Sequence, residues 1–165
     1  MEYNVDKAVL KEIINGFIRS VKNTLEIMAF TKINRTHVYL KKQDDPLRGD
    51  VSALISLFGD LDGTCAMSYH EDTAIKLIGK MMMDDSLNEM NKDVQDGLGE
   101  ISNQTAGGAK NEIHSILGTE TKISVPTVIT GSNHHIEHKP SIPCIGCIFE
   151  TQCGEFYMEV SVYKR

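Results

Sequence analysis

The sequence predicts an α+β fold in which long helices pack on one face of a largely antiparallel sheet. Two stretches, 5–29 and 93–117, repeat apolar side chains at helical spacing, while shorter runs rich in strand formers are bounded by Gly, Asp and Pro. The order helix, strands, helix, helix, strands also lacks the strict alternation of a parallel doubly wound sheet. A chain of 165 residues, 41% of them hydrophobic, suits a single domain over 1–165 with one core.

The first helix rests on Val9, Ile13, Phe17, Val21 and Leu25, and Leu10, Ile14 and Ile18 widen its buried face. Asn15-Gly16 admits a break, because Asn caps helices well and Gly is a poor interior residue; one long helix and two abutting ones both fit. Strands begin at 37–40, and a polar turn over Gln43–Gly49 containing Pro46 leads to another at 51–58. Gly59-Asp60-Leu61-Asp62-Gly63 has the composition of a tight turn, so 51–58 and 64–69 are expected to form an antiparallel hairpin.

Helical spacing returns at 71–83, where Met81, Met82 and Met83 are read as core filler beside Ala74, Leu77 and Ile78. A polar connection over 84–91 precedes the longest periodic segment, 93–117, for which Gly118 is a natural stop. Pro126 divides an extended segment into 122–125 and 127–130, which places it at a sheet edge or a bulge. A loop or irregular strand at 131–141 precedes a second hairpin formed by 144–151 and 155–163.

Seventeen Lys and Arg against 23 Asp and Glu give a formal net charge of −6, which argues against nucleic acid or anionic lipid as a partner. No apolar run approaches the roughly 20 residues of a membrane helix. The first seven residues also lack the basic and apolar regions of a secretory signal, so a soluble, cytoplasmic protein is expected. Cys65, Cys144, Cys147 and Cys153 are too unevenly spread for a disulfide framework and are read as free thiols.

The helix at 93–117 carries the functional argument. At about 100° per residue, Asp96, Glu100, Asn103, Gly107 and Lys110 share one stripe, opposite Val94, Leu98, Ile101, Thr105, Ala109 and Ile116. A solvated face accounts for the polarity of the stripe but not for its composition. Asp96 and Glu100 repel each other at i, i+4, and Gly97, Gly99, Gly107 and Gly108 each weaken a helix by up to ~1 kcal/mol relative to Ala. Glycines on and beside the stripe, Gly107 foremost, would let another protein's backbone approach closely.

The run Asp96-x-x-x-Glu100-x-x-Asn103, within 93–110, resembles the signature helix of the CheC/CheX family of bacterial chemotaxis phosphatases. The likeness continues in 15–18 with Leu25 and Met28, in 59–63, in 124–129 with Gly131 and His134, and in the terminal hairpin. In order and spacing these segments resemble the CheX branch, which implies a CheC-like fold. The resemblance also implies hydrolysis of the aspartyl phosphate on a CheY-like response regulator, with Asn103 orienting the attacking water and Glu100 pairing with a lysine of the partner. Asp96 then holds a supporting position. This chain would bind no cofactor or metal, since Mg²⁺ belongs to the partner's site. A homodimer is implied as well, and the sheet-forming C-terminal segments are expected to offer edges for it. Glu12-Ile-Ile-Asn15 imitates the second Glu-x-x-Asn of the CheC branch. Ala8 and Arg19 stand where that pattern has Asp or Ser and a small residue, so one site per chain is expected.

Two other readings compete. His134, His135, Glu137 and His138 precede Cys144-Ile-Gly-Cys147, and these are the residue types that zinc takes. The odd separation of the two cysteines in a strand sends them to opposite faces, so neither a metal site nor a redox pair is expected. The other reading is a noncatalytic module resembling the flagellar switch proteins. Docking alone, however, has no use for an amide placed at a phosphoryl group.

Overall fold

The computed structural model describes residues 6–42, 45 and 48–165. Among them are helices α1 (Lys7–Met28), α2 (Glu71–Met82) and α3 (Lys92–Leu117). The strands are β1 (Ile33–Leu40), β2 (Val51–Gly59), β3 (Leu61–Tyr69), β4 (Thr121–Ile123), β5 (Thr127–Thr130), β6 (Cys144–Thr151) and β7 (Gly154–Lys164). All belong to one antiparallel sheet in the order β1-β6-β7-β3-β2, with β4 and β5 both paired to β2. Both expected hairpins form, β2 with β3 and β6 with β7. Most of the turn expected over Gln43–Gly49 lies outside the described residues.

The helices cover one face of the sheet. Phe17 and Leu25 of α1, Leu77 and Ile78 of α2, and Leu98 and Ile101 of α3 join Ile55, Met67, Phe149, Phe156 and Val160 in one core. Burying an aliphatic or aromatic side chain of this size contributes about 1.5–3 kcal/mol, which secures the helix positions. Asp6 caps α1 by accepting from the Ala8 amide, and the helix runs unbroken through Asn15-Gly16. Gly16 is tolerated mid-helix because α3 lies against it: a Cβ there would stand 3.0 Å from Ile113. Further along, Ser20 Oγ donates to the Thr105 carbonyl at 2.7 Å, so α1 and α3 run antiparallel.

Four sequence expectations are corrected. Gly97 and Gly108 serve the chain's own packing rather than a partner's approach, since a Cβ on Gly97 would lie 2.8 Å from Ile78 of α2 and one on Gly108 would overlap Ser20 of α1. Ile116 is exposed, because α1 meets the end of α3 at Ile113 instead. Of the methionine triplet only Met81 packs on the core; Met83 caps α2 in a left-handed conformation at φ 52°, and both it and Met82 are exposed. Finally, β6 and β7 lie inside the sheet, so its edges are β1 at one end and β4 with β5 at the other.

The other face of the sheet is covered by the 131–143 segment. His134 Nε2 sits 2.8 Å from Ser52 Oγ, and His138 Nδ1 sits 3.1 Å from Thr64 Oγ1. Ser52 and Thr64 alternate with the core residues Val51, Ile55 and Cys65, which places both histidines on the face away from the helices.

Candidate active site on helix α3

Helix α3 is defined at both ends, by the Asn91 side chain accepting from the Val94 amide at 3.0 Å and by Gly118 in the left-handed region at φ 65°. Its buried residues include Val94, Leu98, Ile101, Thr105, Ala109 and Ile113, so the predicted polar stripe turns outward. Asp96 is exposed and paired with Lys92 at 2.8 Å, one turn earlier. Glu100 is exposed too, and its Oε1 accepts from Gln104 Nε2 at 2.8 Å. Among the described residues Glu100 has no cationic partner. Asn103 is half-buried, and no hydrogen bond to its side-chain amide occurs among the described residues.

Asp96, Glu100 and Asn103 line an open depression of about 560 Å³ whose opposite wall is the β4–β5 connection, Ser124, Val125 and Pro126. Pro126 cannot donate to a sheet ladder and stands in the connection immediately before β5. The connection is nonetheless pinned to β2: the Ser56 amide donates to Ser124 Oγ at 3.0 Å, and the Ser124 amide to the Ser56 carbonyl at 2.9 Å. A second depression of about 440 Å³ lies on the other side of Asn103, lined by Ile27 and Met28 of α1 and by Gly107 and Lys110 of α3. Asn103 and Ile123 belong to both depressions. Gly107 is open to solvent here, with Ile123 Cδ1 at 4.0 Å the nearest atom that a Cβ would meet. Glu12 and Asn15 lie near the opposite end of the α1–α3 pair, beside the Gly16–Ile113 contact. The exposed apolar walls at Ile27 and Val125 were not singled out by sequence, since an isolated aliphatic in a turn or helix end carries no periodic signal.

The histidine and cysteine motif assembles differently from its spacing. Cys144 and Cys147 fall on opposite faces of β6 as alternation requires, and Cys147 enters the core. The donor atoms of Cys144 come within 4.8 Å of those of His138 and Glu159 instead. Lys41 Nζ lies 2.6 Å from Glu159 Oε2, with the two side chains only 7% and 6% exposed. The Tyr39 hydroxyl donates to Glu159 Oε1 at 3.2 Å, and His138 Nε2 is 3.3 Å from Oε2. Burial and the Glu159 charge push the Cys144 thiol up to about 12, so it stays protonated. Lys41 supplies the positive charge that the carboxylate requires, and the group ties β1 and the 131–143 segment to β7. Neither Lys41 nor Glu159 was marked as a partner by sequence, although Glu159 between Met158 and Val160 is an acid at an alternating strand position.

Fold and site together define a CheC-like protein: helices over an antiparallel sheet, with Glu-x-x-Asn displayed on the longest helix. Residues 51–150, which include Glu100 and Asn103, match the family model of the chemotaxis phosphatase CheX. The chain belongs to that family. It is 23% identical over 133 residues to the CheY-P phosphatase CheX of Thermotoga maritima, a match covering 81% of this chain and 82% of that one. The chemotaxis protein CheX of Desulfovibrio desulfuricans superposes with a TM-score of 0.83 at 30% identity, over 92% of this chain and 99% of that one. The fold is shared as well by the CheX–CheY–BeF₃–Mg²⁺ complex from Borrelia burgdorferi, with a TM-score of 0.77 at 20% identity over 92% and 98% of the two chains.

Proposed function

We propose that this protein hydrolyses the aspartyl phosphate of a CheY-like response regulator, with Asn103 and Glu100 as its working residues. Family membership supports the reaction class. The relative from Thermotoga maritima is a CheY-P phosphatase, and the Borrelia burgdorferi complex holds a CheX on CheY. The observation that carries the residue assignment is the Asn103 amide beside the Glu100 carboxylate on one open wall of α3, the first without a hydrogen bond and the second without a cation among the described residues.

The chemistry asks little of the enzyme. An acyl phosphate is already reactive, and the receiver domain supplies Mg²⁺ and a lysine to its phosphoryl oxygens, so the missing element is an oriented water for in-line attack. The Asn103 amide offers both an acceptor and donors, and it holds water beside the phosphoryl group without adding a repelling charge. Glu100 meets the partner's lysine and sets the docking register. Asp96, neutralised by Lys92, supports the stripe without touching the reacting atoms. The chain needs no metal of its own in this scheme, and a chemotaxis regulator as substrate makes it cytoplasmic.

Phosphate release from a purified, phosphorylated receiver domain is the test. Asn103→Ala is expected to lower kcat about tenfold or more, equivalent to about 1.4 kcal/mol of barrier, with little change in affinity. Glu100→Ala is expected to impair affinity and turnover together, and both variants should keep the wild-type thermal midpoint because neither side chain enters the core. Full phosphate release by Asn103→Ala would refute the assignment.

A further inference from the structure

We infer that Ile27 and Val125 are paired aliphatic contacts that hold the receiver domain over Asn103, setting the affinity for the phosphorylated partner without entering the chemistry. The inference rests on the phosphatase reading above. Val125 is 84% exposed on the wall facing Glu100, and Ile27 is 65% exposed on the wall of the second depression. Because the two depressions share Asn103, the amide lies between the two side chains.

Neither residue is required by the fold. Both lie outside the core, and the Val125 loop is held by the hydrogen bonds between Ser56 and Ser124 and by Pro126, which approaches to 3.5 Å of where a Gly99 Cβ would stand. Large aliphatics exposed to this degree on both sides of a polar reactive group have the arrangement of an interface, where apolar contact surrounds the group that must be desolvated. The geometry also selects the occupant. A small phosphate ester can reach Asn103 and leave both aliphatics wet. A folded domain whose phosphoryl group comes within about 3 Å of the amide has the breadth to reach both walls, since each wall belongs to a depression that contains Asn103.

The test compares the wild-type protein with Val125→Ser, Ile27→Ser, the double variant and Met83→Ser. Met83, 82% exposed at the end of α2, lines neither depression. Steady-state phosphate release gives KM and kcat, and titration with the BeF₃⁻ and Mg²⁺-loaded receiver domain gives affinity. The double variant is expected to raise KM and Kd about tenfold with kcat within twofold, while Met83→Ser stays within twofold of wild type. KM and Kd within twofold for the double variant would overturn the inference, as would an equal loss in Met83→Ser. If the wild-type protein fails to accelerate phosphate release from the receiver, it is the phosphatase reading that falls, so the two failures are told apart.

Discussion

Glu159 illustrates how a single residue can be invisible in sequence and consequential in structure. Burial alone would raise its carboxyl, but hydrogen bonds from His138 and Lys41, together with their attraction, hold it below the usual carboxylate range. Tyr39 and Cys144 also face it, the first donating a hydrogen bond and the second protonated. A carboxyl whose folded pKa lies below its unfolded value of about 4.3 contributes stability above that value and loses it as pH falls through the folded one. Wild-type protein is therefore expected to lose thermal stability on acidification below about pH 4, more steeply than Lys41→Met/Glu159→Gln. Lys41→Met alone, which strands a buried carboxylate, should cost about 3 kcal/mol, and the double variant less, because the second change removes the stranded charge. A Lys41→Met midpoint equal to wild type in chemical denaturation would show that the pair carries no weight. The opposite-face placement of Cys144 and Cys147 was legible in the sequence, since strand alternation separates them. The sequence could not disclose the pairing of Lys41 with Glu159, which are joined only by β1 and β7 both flanking β6.

At the scale of the element, α3 shows why periodicity reads a stripe better than it reads a purpose. The outward line Asp96, Glu100, Asn103 and Gly107 was legible because burial follows a 3.6-residue period, and the structure places all four along the two depressions. The four glycines looked alike in sequence, yet their neighbours differ, because those neighbours come from α2, α1 and the β4–β5 connection. The difference is measurable. Gly107→Ala introduces a methyl group that meets only Ile123 Cδ1, at an ordinary contact distance of 4.0 Å, and gains helix propensity, so it should stabilise the isolated protein by up to about 1 kcal/mol. Gly97→Ala and Gly108→Ala should destabilise it, by overlap with Ile78 and Ser20. If Gly107 is kept for a partner's close approach, Gly107→Ala will also weaken affinity for the BeF₃⁻-loaded receiver while raising the thermal midpoint. A higher midpoint with unchanged affinity would leave that glycine without a docking role.

At the scale of the whole molecule, the sheet has two ends with unequal capacity for self-association. The end formed by β4 and β5 is short and interrupted by Pro126, and its residues Ile123 and Val128 line the depression that holds Asn103. A second copy paired there would cover the site proposed to receive the regulator. The other end is β1, eight residues long, with β6 along one side only and with Val38 and Leu40 exposed. An uncovered strand of this length is a template for pairing, and antiparallel pairing of β1 with its own copy satisfies a two-fold axis. Such a dimer would leave α3 accessible on both copies, whereas one built on the β5 end would make dimerisation and catalysis compete. Sedimentation at micromolar concentration is therefore expected to show a dimer, and Val38→Lys/Leu40→Lys a monomer that retains phosphate release per site, since charge on an edge strand opposes edge-to-edge pairing. A wild-type monomer throughout would remove the dimer. A lysine variant that stays dimeric would move the contact away from β1, and the activity of that dimer toward the phosphorylated receiver would then reveal whether the β4–β5 edge had been used in its place.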